Sequence, residues 1–281
     1  MRIIINADDF GYSPQVNEAI EKAIIAKKIS STTIMANAPY FIEAVEIAHK
    51  HNYVSYGVHL NIIEFEPLTN KDIFAKYGLL DDKGCFIEGA ALCLPEYPAE
   101  LKLAIKQEWS AQIQKVLDAG IEISHVDSHQ HTHCINALQG ILIEVMSTFG
   151  FKKCRRKGYS SIPRMMRSRK YKGPKYDKSS AVKPTKRSIL FKVFNHIVLL
   201  PLNQHKWVSK IKSVAKITDD IVSYQWFAQD LKAKPSFYRN KTVEVECHPG
   251  LPSNLEETNL LMQDEIRKVI SDYTLISYCQ L

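Results

Sequence analysis

Short β-branched runs alternate along this chain with stretches whose apolar residues recur at helical spacing, and that alternation confines it to an α/β architecture on a mostly parallel sheet. Residues 2–6 are the first such run, a buried strand by virtue of Ile3-Ile4-Ile5, and they lead into Asp8-Asp9-Phe10-Gly11. Ser13-Pro14 then opens a helix over residues 14–27, with Val16, Ala19, Ile20, Ala23 and Ile24 on one face. The same reading predicts strands at 32–36, 56–60, 122–126, 243–247 and 274–276, and helices at 40–51, 100–119, 135–149 and 256–270. Residues 67–98, with Gly78, Gly84 and Gly89, read as a long loop or lobe over one face. Whether the sheet stays open or closes into a barrel, functional side chains are expected at the C-terminal ends of its strands.

The 281 residues are 45% apolar and 24% charged, an ordinary globular composition, and they fit one barrel-sized domain over 1–281. The charge is unevenly spread. Residues 151–216 hold 20 Lys and Arg against one acid, Asp177, while the whole chain carries only +7, so the rest is net acidic. We take 157–216 as a basic insert within the domain. Its stretch 159–184, rich in Lys, Arg, Ser and Gly and poor in aliphatics, is the part expected to be mobile. Six cysteines show neither a Cys-x-x-Cys pair nor a regular spacing, which argues against a zinc knuckle or disulfide framework and for a reducing compartment. The opening apolar run is too short for a signal peptide, and no stretch approaches the ~18–20 apolar residues of a membrane span, so a cytoplasmic location is expected.

Four predicted strand ends carry residues able to do chemistry. Asp8 and Asp9 follow the first strand; two adjacent carboxylates call for a nearby cation or a shared proton, although an exposed turn with Asp9 as a helix cap is the plainer alternative. His59, in Gly57-Val58-His59-Leu60, is alone among apolar neighbours and by itself fits a hydrogen-bonded structural residue as well as a ligand. The densest signal is His125-Val126-Asp127-Ser128-His129-Gln130-His131-Thr132-His133, which concentrates four of the ten histidines with an aspartate. Extended backbone would put His125, Asp127 and His129 on one face, whereas a helix starting near Ser128 would align His129 with His133. Finally His248, in Cys247-His248-Pro249-Gly250, is placed to act as a general acid or base, or to cap carbonyls in a turn.

Together, Asn6-Ala7-Asp8-Asp9-Phe10-Gly11, Gly57-Val58-His59-Leu60, the segment 125–133 and Cys247-His248-Pro249-Gly250 resemble the YdjC-like carbohydrate deacetylase family. The likeness runs to Arg155 and resumes near Ile217. It implies a distorted (β/α) barrel of mostly parallel strands and removal of the N-acetyl group from an N-acetylglucosamine-type sugar or oligosaccharide. One divalent cation, Mg²⁺ or Zn²⁺, is the implied cofactor. By position the resemblance makes Asp9, His59 and His129 the metal ligands, Asp8 the general base and His248 the general acid. It also implies an arginine at Arg155, with Arg156 one place away as the competing candidate. Asp127 is then suited to orient a ligand imidazole, while sugar contact and solvation both stay open for His125, His131 and His133. The chemistry is coherent, because a metal-activated water can attack an amide whose leaving amine is protonated by an imidazolium.

The insert is where the chain departs from the family, so it bears on substrate recognition. Apolar residues 189–200 among Lys186, Arg187 and Lys206 would suit peripheral contact with an anionic membrane, which is one partner reading. A homodimer is another. Nucleic acid is not expected as a partner: the basic stretch and its tyrosines could track phosphates, but no binding motif accompanies them. The alternative function is therefore a membrane-surface or nucleic-acid-associated binding protein on a catalytically inactive deacetylase fold. A glycosidase using Asp8 and Asp127 would leave the histidines idle.

Overall fold

A computed structural model of the chain describes residues 1–158, 200–269 and 273–281. Among them the strands are β1 (Arg2–Phe10), β2 (Ser31–Ile34), β3 (Ser55–Leu60), β4 (Ile123–Ser128), β5 (Asp220–Ser223), β6 (Thr242–Cys247) and β7 (Thr274–Leu275). All their pairings are parallel, in the order β4-β3-β2-β1-β6-β5. The β6 edge of β1 is taken from Arg2 to Ala7, so β7 must pair with Arg2 and Ile3 on the opposite edge, below β2.

The two outer strands do not face solvent. Residues 152–155 run beside β4, where Val126 N–H donates to Lys153 O and Arg155 N–H to Val126 O, and their other edge exchanges hydrogen bonds with Lys216 on the approach to β5. This irregular seam closes the sheet into the distorted barrel that the family resemblance implies. Closure pairs the outer edge of β4, joins residues 152–155 to the approach to β5, and brings Arg155 onto the barrel wall.

Helices α1 (Pro14–Ile25), α2 (Phe41–Lys50), α5 (Ala99–Asp118), α6 (Gln139–Phe149), α7 (Leu200–Lys212) and α8 (Tyr224–Ala233) accompany the strands. Within residues 67–98 lie two short helices, α3 (Asp72–Lys76) and α4 (Ala90–Cys93). The start of α1 is fixed as expected: Ser13 Oγ accepts from Val16 N–H and Pro14 occupies the first turn. The expected helix 256–270 is instead two pieces, α9 (Leu255–Met262) and α10 (Glu265–Val269), separated by Asp264 at φ 59°. Strand β5 and helix α8 went unpredicted, because Ile221 and Val222 are a two-residue apolar signal beside polar neighbours. No helix of the described residues is long and apolar enough to cross a membrane. The expected mobile stretch 159–184 lies outside the described residues, as does all of 189–200 except Leu200.

Most buried apolar residues form one cluster between the sheet and its helices. The barrel interior is different. Asn6 and Asp8 of β1, Thr33 of β2, His59 of β3, His125 and Asp127 of β4 and Glu244 of β6 are all buried and polar. An interior lined this way has to satisfy each group by pairing, and that requirement organises the site.

Candidate active site

Parallel pairing brings the strand C-termini to one mouth of the barrel, and a cleft of about 730 Å³ opens there, walled by Asp8, Asp9, Glu64, His129, His131 and His248 among others. Asp8 and Asp9 would face opposite sides of a regular strand. Here the β1–β2 register shifts between Ala7 and Phe10, and Asp9 takes a left-handed φ of 67°, so both carboxylates reach the mouth. Gln130 and His131 are left-handed as well, at φ 48° and 55°. That kink replaces the α-helix considered from Ser128 and parts His129 from His133.

His59 and Asp127 are direct register partners on β3 and β4, and His59 Nδ1 lies 2.7 Å from Asp127 Oδ1. With Nδ1 turned to Asp127, Nε2 is left facing Asp9 Oδ1, 3.3 Å away. His129 Nδ1 lies 2.8 Å from the same Asp9 oxygen. Ligand-type atoms of Asp9, His59 and His129 all fall within 4.8 Å of one another. The three residues are thus brought together from chain positions as far apart as 9 and 129.

Does this set fit a divalent cation? Asp9 Oδ2 is buried with no hydrogen-bond partner, an acceptor that a cation would satisfy. One carboxylate and two imidazoles are also a donor set that Zn²⁺ favours. Asp8, His59 and Asp127 lie equally close together, but Arg155 already occupies their centre: Nη1 and Nη2 reach the two Asp8 oxygens at 2.6 Å each, and Nη2 is 2.9 Å from Asp127 Oδ2. The groups at hand therefore fit a cation at Asp9 and exclude one at Asp8.

Electrostatics follow from this wiring. Burial pushes the Asp8 carboxyl up, yet the Arg155 guanidinium holds it well below the usual carboxylate range. Burial likewise opposes charge on His248, but Glu257, Asp8 and Asp9 outweigh it and push the imidazole up to about 10. His248 Nε2 lies 3.7 Å from Asp8 Oδ2, Nδ1 lies 3.6 Å from Glu257 Oε1, and its backbone N–H donates to the same Glu257 oxygen. The turn carrying it is pressed onto α1: a Cβ at Gly250, whose φ is 85°, would stand 2.5 Å from Gln15 O.

A family model described as YdjC-like protein matches residues 2–272. The chain belongs to that family. Among curated relatives, a carbohydrate deacetylase of Brevibacillus brevis is 33% identical over 149 residues, which are 53% of this chain and 57% of the relative. One from Listeria monocytogenes is 38% identical over 130 residues, 46% of this chain and 51% of the relative. The chain thus spans about half the length of the curated relatives it matches. A crystal structure from Enterococcus faecalis V583, of a protein described in terms of cellobiose-phosphate cleavage, superposes with a TM-score of 0.69 at 20% identity. It covers 99% of this chain and 97% of its own, so the fold is shared.

The remaining histidines of this YdjC-like chain separate by environment. His133 is buried, with Nδ1 against Ser128 Oγ and Nε2 3.3 Å from Arg155 O, and burial holds it well below its ordinary value. His125 is buried and depressed in the same way, and stacks on Tyr278 at 3.5 Å between ring centroids. Both are neutral packing groups. His131 alone of the three reaches the cleft, 3.3 Å from Glu246 Oε2. Of the two arginines, Arg155 enters the barrel, while Arg156 turns away to donate to the Thr218 and Asp219 carbonyls. Sequence reasoning missed Glu64, Glu244, Glu257 and Tyr278. The first three are ordinary acids in ordinary local contexts, and only the fold puts them beside His129, Arg155 and His248.

Proposed function

We propose that this chain is a divalent-metal-dependent carbohydrate deacetylase that hydrolyses the N-acetyl amide of an N-acetylglucosamine-type sugar or oligosaccharide. The observation that carries the reading is the meeting of Asp9, His59 and His129 at the mouth of the cleft, with Asp8 and His248 beside them. The curated relatives named carbohydrate deacetylase support the substrate class. Asp9, His59 and His129 hold the ion, which when bound supplies a Lewis acid and an activated water. Zn²⁺ suits the donor set best, and Mg²⁺ is the alternative where water completes the coordination.

The chain's own residues do the rest. Asp127 holds His59 in the tautomer that frees Nε2. Arg155 keeps Asp8 ionised, so that it takes up the proton of the attacking water. His248, held as an imidazolium by Glu257 and Asp8, gives its proton to the departing amine, without which the leaving group would be an amide anion. The cleft volume falls in the range of small-molecule sites, and His131 on its wall would face a sugar bound there.

Acetate release from a panel of N-acetylglucosamine-containing oligosaccharides tests the reading. Activity is expected to vanish on chelation and return with added metal, and His248→Gln should cost about 10²–10⁴-fold in kcat. Asp9→Asn and His129→Ala should abolish metal uptake as well as turnover; full activity in either would rule out the ligand assignment.

A further inference from the structure

We propose that Glu64 is a positioning residue for the candidate metal centre, holding the outer nitrogen of His129 as Asp127 holds that of His59. The inference rests on the metal reading above and deepens it.

The two imidazoles have matching surroundings. His59 places Nε2 3.3 Å from Asp9 Oδ1 and Nδ1 2.7 Å from Asp127 Oδ1. His129 places Nδ1 2.8 Å from Asp9 Oδ1 and Nε2 3.8 Å from Glu64 Oε2. Each ring is therefore strung between the shared Asp9 oxygen and a carboxylate of its own. An imidazole that gives one nitrogen to a cation carries N–H on the other, and a carboxylate there fixes the ring and strengthens its donation. Tyr12 is the other hydrogen-bonding neighbour of the Glu64 carboxylate, but Oε2 is buried with no hydrogen bond of its own, and His129 Nε2, 3.8 Å away, is the ring nitrogen that faces it.

The loop that aims Glu64 is built rather than loose. Buried Asn61 donates from Nδ2 to Glu64 O at 2.7 Å and accepts at Oδ1 from the N–H groups of Ile63 and Glu64. Asn37 Nδ2 donates to the same Glu64 carbonyl at 3.1 Å. The next residue, Phe65, is left-handed at φ 65° and turns the chain away. Two buried amides thus fix the backbone of a carboxylate whose free oxygen faces the site, the kind of outer support that keeps a ligand within productive geometry.

Metal affinity provides a readout independent of turnover. Co²⁺ and Zn²⁺ are titrated into the full chain and into Glu64→Gln, Glu64→Asp and Glu88→Gln variants. Glu88 is an exposed acid on the same cleft, so its neutralisation reports the effect of removing one negative charge. Glu64→Gln is expected to weaken binding by about 10–100-fold. Glu64→Asp, which keeps the charge but withdraws the carboxylate, should weaken it too, and Glu88→Gln should leave it within a few-fold. The Co²⁺ absorption bands of Glu64→Gln should keep the wild-type shape, because the coordinating atoms are the same. Unchanged affinity in Glu64→Gln, equal losses in Glu64→Gln and Glu88→Gln, or a new band shape that makes Glu64 itself a ligand would each overturn the proposal. A wild-type chain that takes up no divalent ion would overturn the metal reading and this inference with it, whereas normal wild-type binding beside an unaltered Glu64→Gln overturns the inference alone.

Discussion

Gly57, two residues before His59, shows how a single missing side chain makes room for the site. A Cβ at this position would stand 2.4 Å from Cε1 of His125 and 2.6 Å from Cγ2 of Thr33, closer than packed atoms come. The space belongs to the His125 ring, which fills the barrel between Gly57 and Tyr278. Gly57→Ala is therefore expected to destabilise the fold by roughly 1–3 kcal/mol, the usual cost of overpacking a filled interior. The same substitution should cost clearly less in a His125→Ala background, because one of the two side chains it strikes has gone and only Thr33 remains. Denaturant midpoints of the four proteins of that cycle check this, and additive losses would mean that His125 is not what Gly57 accommodates. His125 also marks a limit of sequence reading at this scale. The run from His125 to His133 reads as one dense ligand cluster, yet His125 and His133 are buried neutral packing groups and only His129 and His131 reach the cleft. Composition could not separate them, since His125 is placed by the inward face of β4 and the residues after Ser128 by the left-handed kink at Gln130 and His131.

Elements place residues that no local pattern ties together. Strand β6 delivers His248, and α9, which begins at Leu255, returns Glu257 to the same turn, where its carboxylate lies 3.6 Å from His248 Nδ1 and also accepts the backbone N–H of His248. Burial lowers the proton affinity of His248, and Glu257 with Asp8 and Asp9 more than restores it, to about 10. A raised folded-state value means that the imidazolium stabilises the fold fully below the ordinary value of about 6.5 and that this contribution is lost as pH rises through 10. For catalysis the same shift keeps the proposed acid protonated through neutrality. Glu257→Gln removes a principal support, so the alkaline limb of kcat/KM should move to lower pH while the acidic limb stays. An alkaline limb that does not move would assign that limb to another group. The opening strand and helix were legible because β-branched and helical spacing are local; β5 and the break at Asp264 were not, being set by sheet pairing and by packing between α8, α9 and α10.

Across the whole molecule, one chain of buried polar contacts joins the C-terminal segment to the mouth of the barrel. The Tyr278 hydroxyl donates to Glu244, Glu244 accepts from Arg155 Nε at 2.7 Å, and the same guanidinium holds Asp8 and Asp127. Motifs in the sequence announced the half of this path nearest the mouth, at Asp8, Asp127 and Arg155, but not the other half, because an acid at Glu244 and a tyrosine at Tyr278 acquire meaning only through closure of the barrel. Of the carboxylates that share this guanidinium, Glu244 is the one least favoured as an anion: burial pushes its carboxyl up to about 7, against the pull of Arg155 and Tyr278. The folded protein then binds more protons here than the unfolded chain does between about pH 4.5 and 7, so this group makes stability fall as pH rises through that window. Tyr278→Phe keeps the stack on His125 but removes the donor that favours the Glu244 anion, raising its proton affinity further and extending the falling window above pH 7. The variant should thus lie near wild type at pH 5 and drop progressively below it towards pH 8 in denaturant melts. A deficit that is the same at both pH values would mean that Tyr278 contributes packing alone and that Glu244 does not titrate in this window.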